Sequence, residues 1–341
     1  MSIDVRSIDQ ESVWESFISQ HHDANFLQSW HWGEFQKRIG KSVERIGLYH
    51  GAELKGVALA VVERAKRGTY LTVAGGPILD WSDHDVVQSC FQAIRERAAQ
   101  NGASFVRVRP QLIENEISRS LFRRLGFHDA PMHLTADLTS QLDLRLTEQE
   151  LMDGMRKTTR YEIRKAEKAG VRITTSVNVA DIDEFYDLQI QTSQRQKFVP
   201  FSRNFLKEQF AVFAATGNAL LYRAYLGEKL LAAAFIIFYR NEATYHYGAS
   251  TEEGRRVPGA YLLQWDAIKE AKRRGCARYN FWGVTKPDQT NHRFYGVSVF
   301  KRGFGGHDVA YVPAQDLILN PVSYGLNYSV EFLRKKFRRL G

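Results

Sequence analysis

Apolar positions along this chain recur with two periods, and the switches between them mark out its elements. Helical spacing comes first. Val13, Trp14 and Phe17 share a face within residues 10–36, where Asn25 and Ser29 can each start a helix carrying Trp30, Trp32 and Phe35. Strand-length apolar runs follow at 43–49 and 57–62, with a hairpin-like break at His50 and Gly51. A third run at 70–73 closes at Gly75, Gly76 and Pro77. Val86, Cys90, Ile94 and Ala98 mark a helix over 85–99. A buried strand is predicted at 105–108 before Pro110, a helix at 117–125 capped by Gly126, and a last strand at 133–138.

The second half repeats this grammar without repeating the sequence. A helix over 151–169 ends at Gly170, a strand covers 171–175, and helices span 181–195 and 204–216. Strands at 219–226 and 230–238 form a hairpin about Gly227 and Glu228, and a third strand runs over 243–249. A helix over 260–274 is capped by Gly275 and leads to a strand at 279–282. Two halves in one order predict a duplicated α/β unit. Hairpins mixed with crossovers predict mixed sheets rather than a doubly wound parallel one. At the tail, Leu326, Val330, Leu333, Phe337 and Leu340 form one apolar helix face among Arg334, Lys335, Lys336, Arg338 and Arg339. Such a helix suits docking on a domain through its apolar face, or contact with an anionic membrane surface.

Composition narrows the class. The 341 residues suggest two domains, and 44% apolar with 25% charged residues is ordinary for globular chains. No apolar run approaches the roughly 18 residues of a membrane-spanning helix. The first residues lack the apolar segment of a signal peptide. Cys90 and Cys276 are too few for a disulfide framework or a Cys-rich zinc site. The expected location is the cytoplasm, extending to the inner face of the membrane if the tail binds lipid. Lys and Arg number 47 against 38 Asp and Glu, a net charge of +9 that points to anionic partners.

Three constellations could carry chemistry. Arg156, Arg160 and Arg164 share a helix face flanked by Lys157, Lys165 and Lys168, which suits several phosphates or a solvated surface. Strict alternation over Tyr245-His246-Tyr247-Gly248-Ala249 puts both tyrosines on one face and His246 on the other. The run Phe300-Lys301-Arg302-Gly303-Phe304-Gly305-Gly306 reads as a glycine-rich turn that brings backbone and an ammonium close to a ligand, or as a turn with an exposed lysine. The sequence has no HExxH, GxSxG, Walker A or strand-linked GxGxxG pattern, and its histidines are scattered, so no metal site is expected.

Four segments, in order, are similar to the FemABX aminoacyltransferases, which build peptidoglycan interpeptide bridges. They are FLQSWHWGEFQK (26–37), RKTTRYEIRKAEKAGV (156–171), TYHYGAS (244–250), and FWGV (281–284) followed by FKRGFGG (300–306). The resemblance implies two GNAT-like domains with mixed sheets, one over 1–145 plus 317–341 and one over 146–316, with the C-terminal helix packing back on the first. No sustained heptad insert is present, so the chain is similar to the family's shorter form, which lacks a coiled-coil arm. The implied reaction moves an amino acid from aminoacyl-tRNA to the side-chain amine of a UDP-MurNAc-pentapeptide or of lipid II. No cofactor is implied beyond the tRNA co-substrate. Lys301 matches the catalytic-site lysine, whose expected role is to stabilise the oxyanion. Tyr245 and Tyr247 match paired tyrosines at the acceptor site, and Lys37 a lysine binding the acceptor's diphosphate. Arg195 and Arg203 are both candidates for the second diphosphate ligand. Gly303, Phe304 and Gly305 are expected beside the substrate, and Arg156, Lys157, Arg160, Arg164 and Lys165 on the tRNA phosphates. Where the family carries Asp-Pro after the buried strand of its first domain, this chain has Arg109-Pro110.

Two other readings compete. Residues 255–260, RRVPGA, are similar to a GNAT pyrophosphate loop with its spacing off by one, which suits an acyl-CoA-dependent N-acyltransferase. The basic helix alone suits a non-catalytic RNA-binding module.

Overall fold

The computed structural model describes residues 3–196 and 198–338. The side chains of Arg255, Arg334, Lys335, Lys336, Phe337 and Arg338 lie outside the described set, as do Arg339 and Leu340. Strand β1 (Asp4–Ser7) precedes α1 (Glu11–Ile18) and α2 (Trp30–Arg38). Then come β2 (Ser42–His50), β3 (Glu53–Ala65), β4 (Gly68–Ala74), β5 (Ile78–Leu79), α3 (His84–Gln100), β6 (Ala103–Arg109), α4 (Glu116–Arg124) and β7 (His128–Asp129). The second half runs β8 (Leu138–Asp143), α5 (Glu148–Gly154), α6 (Lys157–Lys168), β9 (Arg172–Ser176), α7 (Ile182–Gln196) and α8 (Arg203–Ala214). It continues β10 (Ala219–Leu226), β11 (Lys229–Tyr239), β12 (Glu242–Ser250), α9 (Glu253–Arg256), α10 (Gly259–Arg273), β13 (Arg278–Gly283), α11 (Tyr295–Arg302) and β14 (His307–Ala310). The chain closes with β15 (Gln315–Ile318) and α12 (Pro321–Arg338).

Two compact units result: residues 1–137 with 310–341, and residues 138–309. Both use one topology. In the first, β2, β3 and β4 form an antiparallel meander, α3 crosses over, and β6 adds parallel to β4. In the second, β10, β11 and β12 form the meander, α10 crosses over, and β13 adds parallel to β12. Each sheet is then completed antiparallel by a strand distant in sequence, β15 against β6 and β8 against β13. That explains why the division falls eight residues before the expected 145/146 boundary and seven before the expected 316/317 boundary. The strand predicted at 133–138 is not formed. The chain extends instead over 138–143, because only there do its amides meet β13. The helix predicted over 151–169 is likewise two, α5 and α6. Met155 is extended with ψ 148, and the Arg156 amide donates to the Gly303 carbonyl at 2.9 Å.

The first unit packs α3 on one sheet face, where Val86, Cys90, Ile94 and Ala98 meet Ile46, Ala58, Val62, Leu71 and Val106. Asn25 and Ser29 do start helices: each accepts a hydrogen bond from a backbone amide two or three residues on. Helix α12 belongs to this unit, as expected, but not through its apolar face. It is tied to the sheet by a buried ionic cluster in which Arg107 makes two 2.8 Å hydrogen bonds to Asp316 and lies 2.9 Å from Glu331. The second unit places α6 and α10 on one face of its sheet, over Ala232, Ala234, Ile236 and Phe238. On the other face Phe210 of α8 meets Phe235 of β11 edge-on.

Candidate functional site

In the second unit the parallel pair β12 and β13 stays in register only from Glu242 against Arg278 to Thr244 against Asn280. Beyond it β12 runs on to Ser250 and β13 to Gly283 without further pairing to each other. Backbone at the mouth of this divergence is held from several directions. Buried Glu242 accepts hydrogen bonds from Arg278 at 2.7 Å and Asn280 at 3.2 Å. The Asn280 side chain in turn accepts from the Trp282 amide at 2.9 Å. Trp282 sits at φ 63, a left-handed conformation uncommon for a bulky residue. Strain of this kind persists where neighbours over-determine it, as the Asn280 bond does here.

The next residue supplies the contact that marks the site. Lys301, in the last turn of α11, donates from Nζ to the Gly283 carbonyl at 2.8 Å, and its Nζ lies 5.6 Å from the centre of the Tyr245 ring. The side chain is only 8% exposed. Loss of hydration on burial penalises the ammonium more than these two contacts favour it and brings its pKa down to about 7. The Tyr245 phenol is pushed up to about 12 by the same burial, so it is a neutral donor at ordinary pH. Its hydroxyl lies where a side chain on Gly248 would stand, 1.7 Å from the ideal Cβ position, so glycine at 248 is what admits it.

Alternation along β12 does not hold. Phe235 of β11 pairs with Tyr247 while the next residue, Ile236, pairs with Tyr245, so His246 is an inserted bulge residue. The bulge moves Tyr247 to the face opposite Tyr245, against the expectation that the two share one. Tyr245 packs on the α10 side. Tyr247 lies 5.8 Å from Phe235 and 4.9 Å from Phe201 on the α7–α8 side. His246 joins it there, its Nε2 2.8 Å from Nε2 of Gln209 and its ring 5.9 Å from Trp282. Burial lowers the imidazole pKa to about 3, so it is neutral. Neither His246 nor Trp282 was singled out from sequence; the aromatic-rich TYHYGAS and FWGV segments are the signal that could have found them.

The FKRGFGG run is not a ligand-cradling turn. Lys301 and Arg302 complete a helix, and the glycines accommodate the chain's own backbone. A Cβ on Gly305, at φ +89, would meet the Gly154 carbonyl at 2.6 Å, and one on Gly306 the Gln141 carbonyl at 2.6 Å. Phe304 is fully buried between Phe281 and Phe300. Gly303 accepts the Arg156 amide and abuts the Thr159 hydroxyl. Gly303 and Phe304, expected beside the substrate, are thus corrected to buried packing residues, while Gly305 is exposed.

The arginine candidates separate. Arg195 donates from Nη2 to the Ser250 carbonyl at 2.6 Å and so pins the free end of β12, together with Thr192 at 3.1 Å. Arg203 is spanned by Asp183 at 2.7 Å and Asp187 at 3.0 Å and lies over the Tyr186 ring, already neutralised on α8. On α6, Arg156, Lys157, Arg164 and Lys165 are exposed. Arg160 instead folds back to the Asp153 and Met155 carbonyls at 2.8 and 2.6 Å, capping α5. Lys37 lies in the first unit, exposed and 3.0 Å from Glu34, which also binds Arg45 at 2.7 Å. Arg109 is buried there and donates to Thr135 at 2.5 Å and Gln111 at 2.9 Å. Among the described residues no group of three or more His, Cys, Asp or Glu is arranged to hold a metal ion.

Residues 10–124 match the FemAB family, and residues 153–302 match the acetyltransferase (GNAT) domain. A lipid II:glycine glycyltransferase of Staphylococcus epidermidis is 20% identical, with 92% of each chain covered. In its first part the chain is similar to the FemAB family. Its fold follows that of FemX, with a TM-score of 0.84 at 19% identity over 95% of this chain and 99% of that one. A tandem GNAT protein from the clavulanic acid biosynthesis pathway aligns with a TM-score of 0.60 at 11% identity over 93% and 98%. Two GNAT-like domains with mixed sheets are thus present. The first motif segment is chiefly scaffold. Buried Gln28 bonds the Leu59 backbone and the Ala74 carbonyl, Ser29 caps α2, and the Trp30 ring underlies Arg45 at 3.4 Å. The other segments fall in the second unit, where TYHYGAS, FWGV and FKRGFGG meet around Lys301.

Proposed function

We propose that this chain transfers an amino acid from aminoacyl-tRNA to the side-chain amine of the lipid II stem peptide, extending a peptidoglycan bridge, with no cofactor beyond the tRNA. The observation that carries the reading is Lys301, buried beside the Gly283 carbonyl where β12 and β13 diverge. A buried setting that disfavours the lysine's charge favours it once negative charge develops alongside. That is the requirement for stabilising a tetrahedral oxyanion. The acceptor nitrogen attacks the ester carbonyl, the C–N bond forms, and the oxyanion stands against Nζ of Lys301 and the Tyr245 hydroxyl. Collapse breaks the ester C–O bond, and the proton lost by the amine goes to the departing ribose oxygen. The charge on α6 at Arg156, Lys157, Arg164 and Lys165 suits the tRNA backbone, and Lys37 suits the acceptor's diphosphate once released from Glu34.

The test uses purified protein, mixed aminoacyl-tRNAs, and either lipid II or the UDP-linked pentapeptide, read by mass spectrometry. A product heavier by one amino acid is expected with lipid II, and the Lys301→Ala variant is expected to lose roughly 10²–10³ in rate. No product with either acceptor, together with acetyl transfer from acetyl-CoA, would replace this reading with that of an ordinary GNAT enzyme.

A further inference from the structure

Helix α12 docks by its polar side and turns its apolar ridge outward. Tyr324, Asn327 and Glu331 are buried. Tyr324 donates to Asp316 at 3.0 Å, Asn327 donates to the Arg67 carbonyl at 3.1 Å, and Glu331 joins Arg107. On the opposite side Val322, Leu326 and Leu333 are 78%, 67% and 49% exposed, with Phe332 beside them at 53%. At about 100° per residue, positions 322, 326 and 333 fall within roughly 40° of one another, so they line one side of the helix. Singly scattered exposed apolar residues are ordinary; a ridge of aliphatic side chains on one helix is an interaction surface.

The sequence that follows says what fits it. Of residues 334–339, Arg334, Lys335, Lys336, Arg338 and Arg339 are basic, and the only acid after Asp316 is Glu331, already buried against Arg107. We propose that the outward face of α12 and its basic continuation dock on an anionic bilayer surface. Apolar side chains enter the headgroup boundary while lysines and arginines meet anionic lipid. A second copy of the chain is a poorer occupant, because it would set the two basic runs of a +9 protein against each other. The role of this docking rests on the lipid-linked acceptor reading: it holds the enzyme at the surface where such an acceptor is embedded. No helix among the described residues is long and apolar enough to cross a membrane, so the helix lies on the bilayer.

Flotation of the full chain with vesicles of about 30 mol% phosphatidylglycerol, against pure phosphatidylcholine and against about 0.5 M salt, tests this directly. Binding is expected to the anionic vesicles only and to be lost at high salt. A Leu326→Glu/Leu333→Glu variant changes exposed positions, keeps the fold by circular dichroism, and is expected to bind at least about tenfold more weakly. Lys335→Glu/Lys336→Glu is expected to lose roughly fivefold or more per residue. Absence of binding at low salt, or binding unchanged in both variants, overturns the proposal. So does a wild-type dimer in light scattering that Leu326→Glu/Leu333→Glu converts to monomer, which would give the ridge to a second copy. Transfer to lipid II in detergent separates the two ideas. Transfer without vesicle binding refutes the docking and leaves the reaction standing; vesicle binding without transfer does the reverse.

Discussion

Replacing Lys301 with methionine should make the protein more stable and nearly inactive. The ordinary lysine value is 10.5, and burial lowers that of Lys301 to about 7. The unfolded chain therefore binds more protons than the folded one between those two values. Holding this side chain in place costs about 5 kcal/mol where both states are charged, and about 4 kcal/mol at pH near 7 where the folded group is half neutral. Methionine matches the length without the charge, but forfeits the bond to the Gly283 carbonyl, worth about 1 kcal/mol. A net gain of about 2–3 kcal/mol follows, or roughly 6 °C in the melting temperature of a unit of this size. Because the folded-state value is depressed, the wild type gains stability as pH rises above about 7, and the gap to the variant should narrow by about 2 kcal/mol by pH ~9. Thermal melts of both proteins over that range measure it, with transfer assays at each pH. A variant that melts at or below the wild type near neutrality, with a gap flat in pH, would refute the claim that burial of the Lys301 charge costs more than its contacts return.

Three further expectations follow from the same geometry. If the protonated Lys301 meets the oxyanion, kcat/KM divided by the fraction of acceptor amine that is neutral should fall as pH rises through the lysine's value of about 7; a corrected rate that climbs through that range instead would make the neutral lysine a base. Gly248→Ala should displace the Tyr245 phenol, whose oxygen lies 1.7 Å from the new carbon, and cut turnover by roughly 10²-fold with little change in secondary structure; unaltered kinetics would remove Tyr245 from the site. Arg107→Met should strand Asp316 and Glu331 and destabilise the first unit by about 3–5 kcal/mol in urea, with early proteolytic release of α12; a loss within about 1 kcal/mol would show that the buried cluster does not hold the helix.

Much of this arrangement was legible in local spacing. The meander, crossover helix and parallel strand recur in both halves because periods of two and 3.6 are written into contiguous residues, and caps such as Asn25, Ser29, Gly126 and Gly275 act within a few positions of themselves. The ordered motifs pointed to the family, and Lys301 was a candidate among them. What escaped is set by partners far away in sequence. An inserted residue at His246 leaves no trace in composition, yet it sends Tyr245 and Tyr247 to opposite faces, because strand register depends on where β11 stands. Strands β8 and β15 complete their sheets by pairing with β13 and β6, each over a hundred residues off, so the domain limits moved with them. The helix expected over 151–169 breaks where the Gly303 carbonyl takes the Arg156 amide. Helix α12 kept its predicted amphipathic pattern and reversed its orientation, since a buried charge cluster at Arg107 and Asp316 offered its polar side better partners than the sheet offered its leucines. Periodicity states which side chains share a face; which way the face turns is a matter of what the rest of the fold puts opposite it.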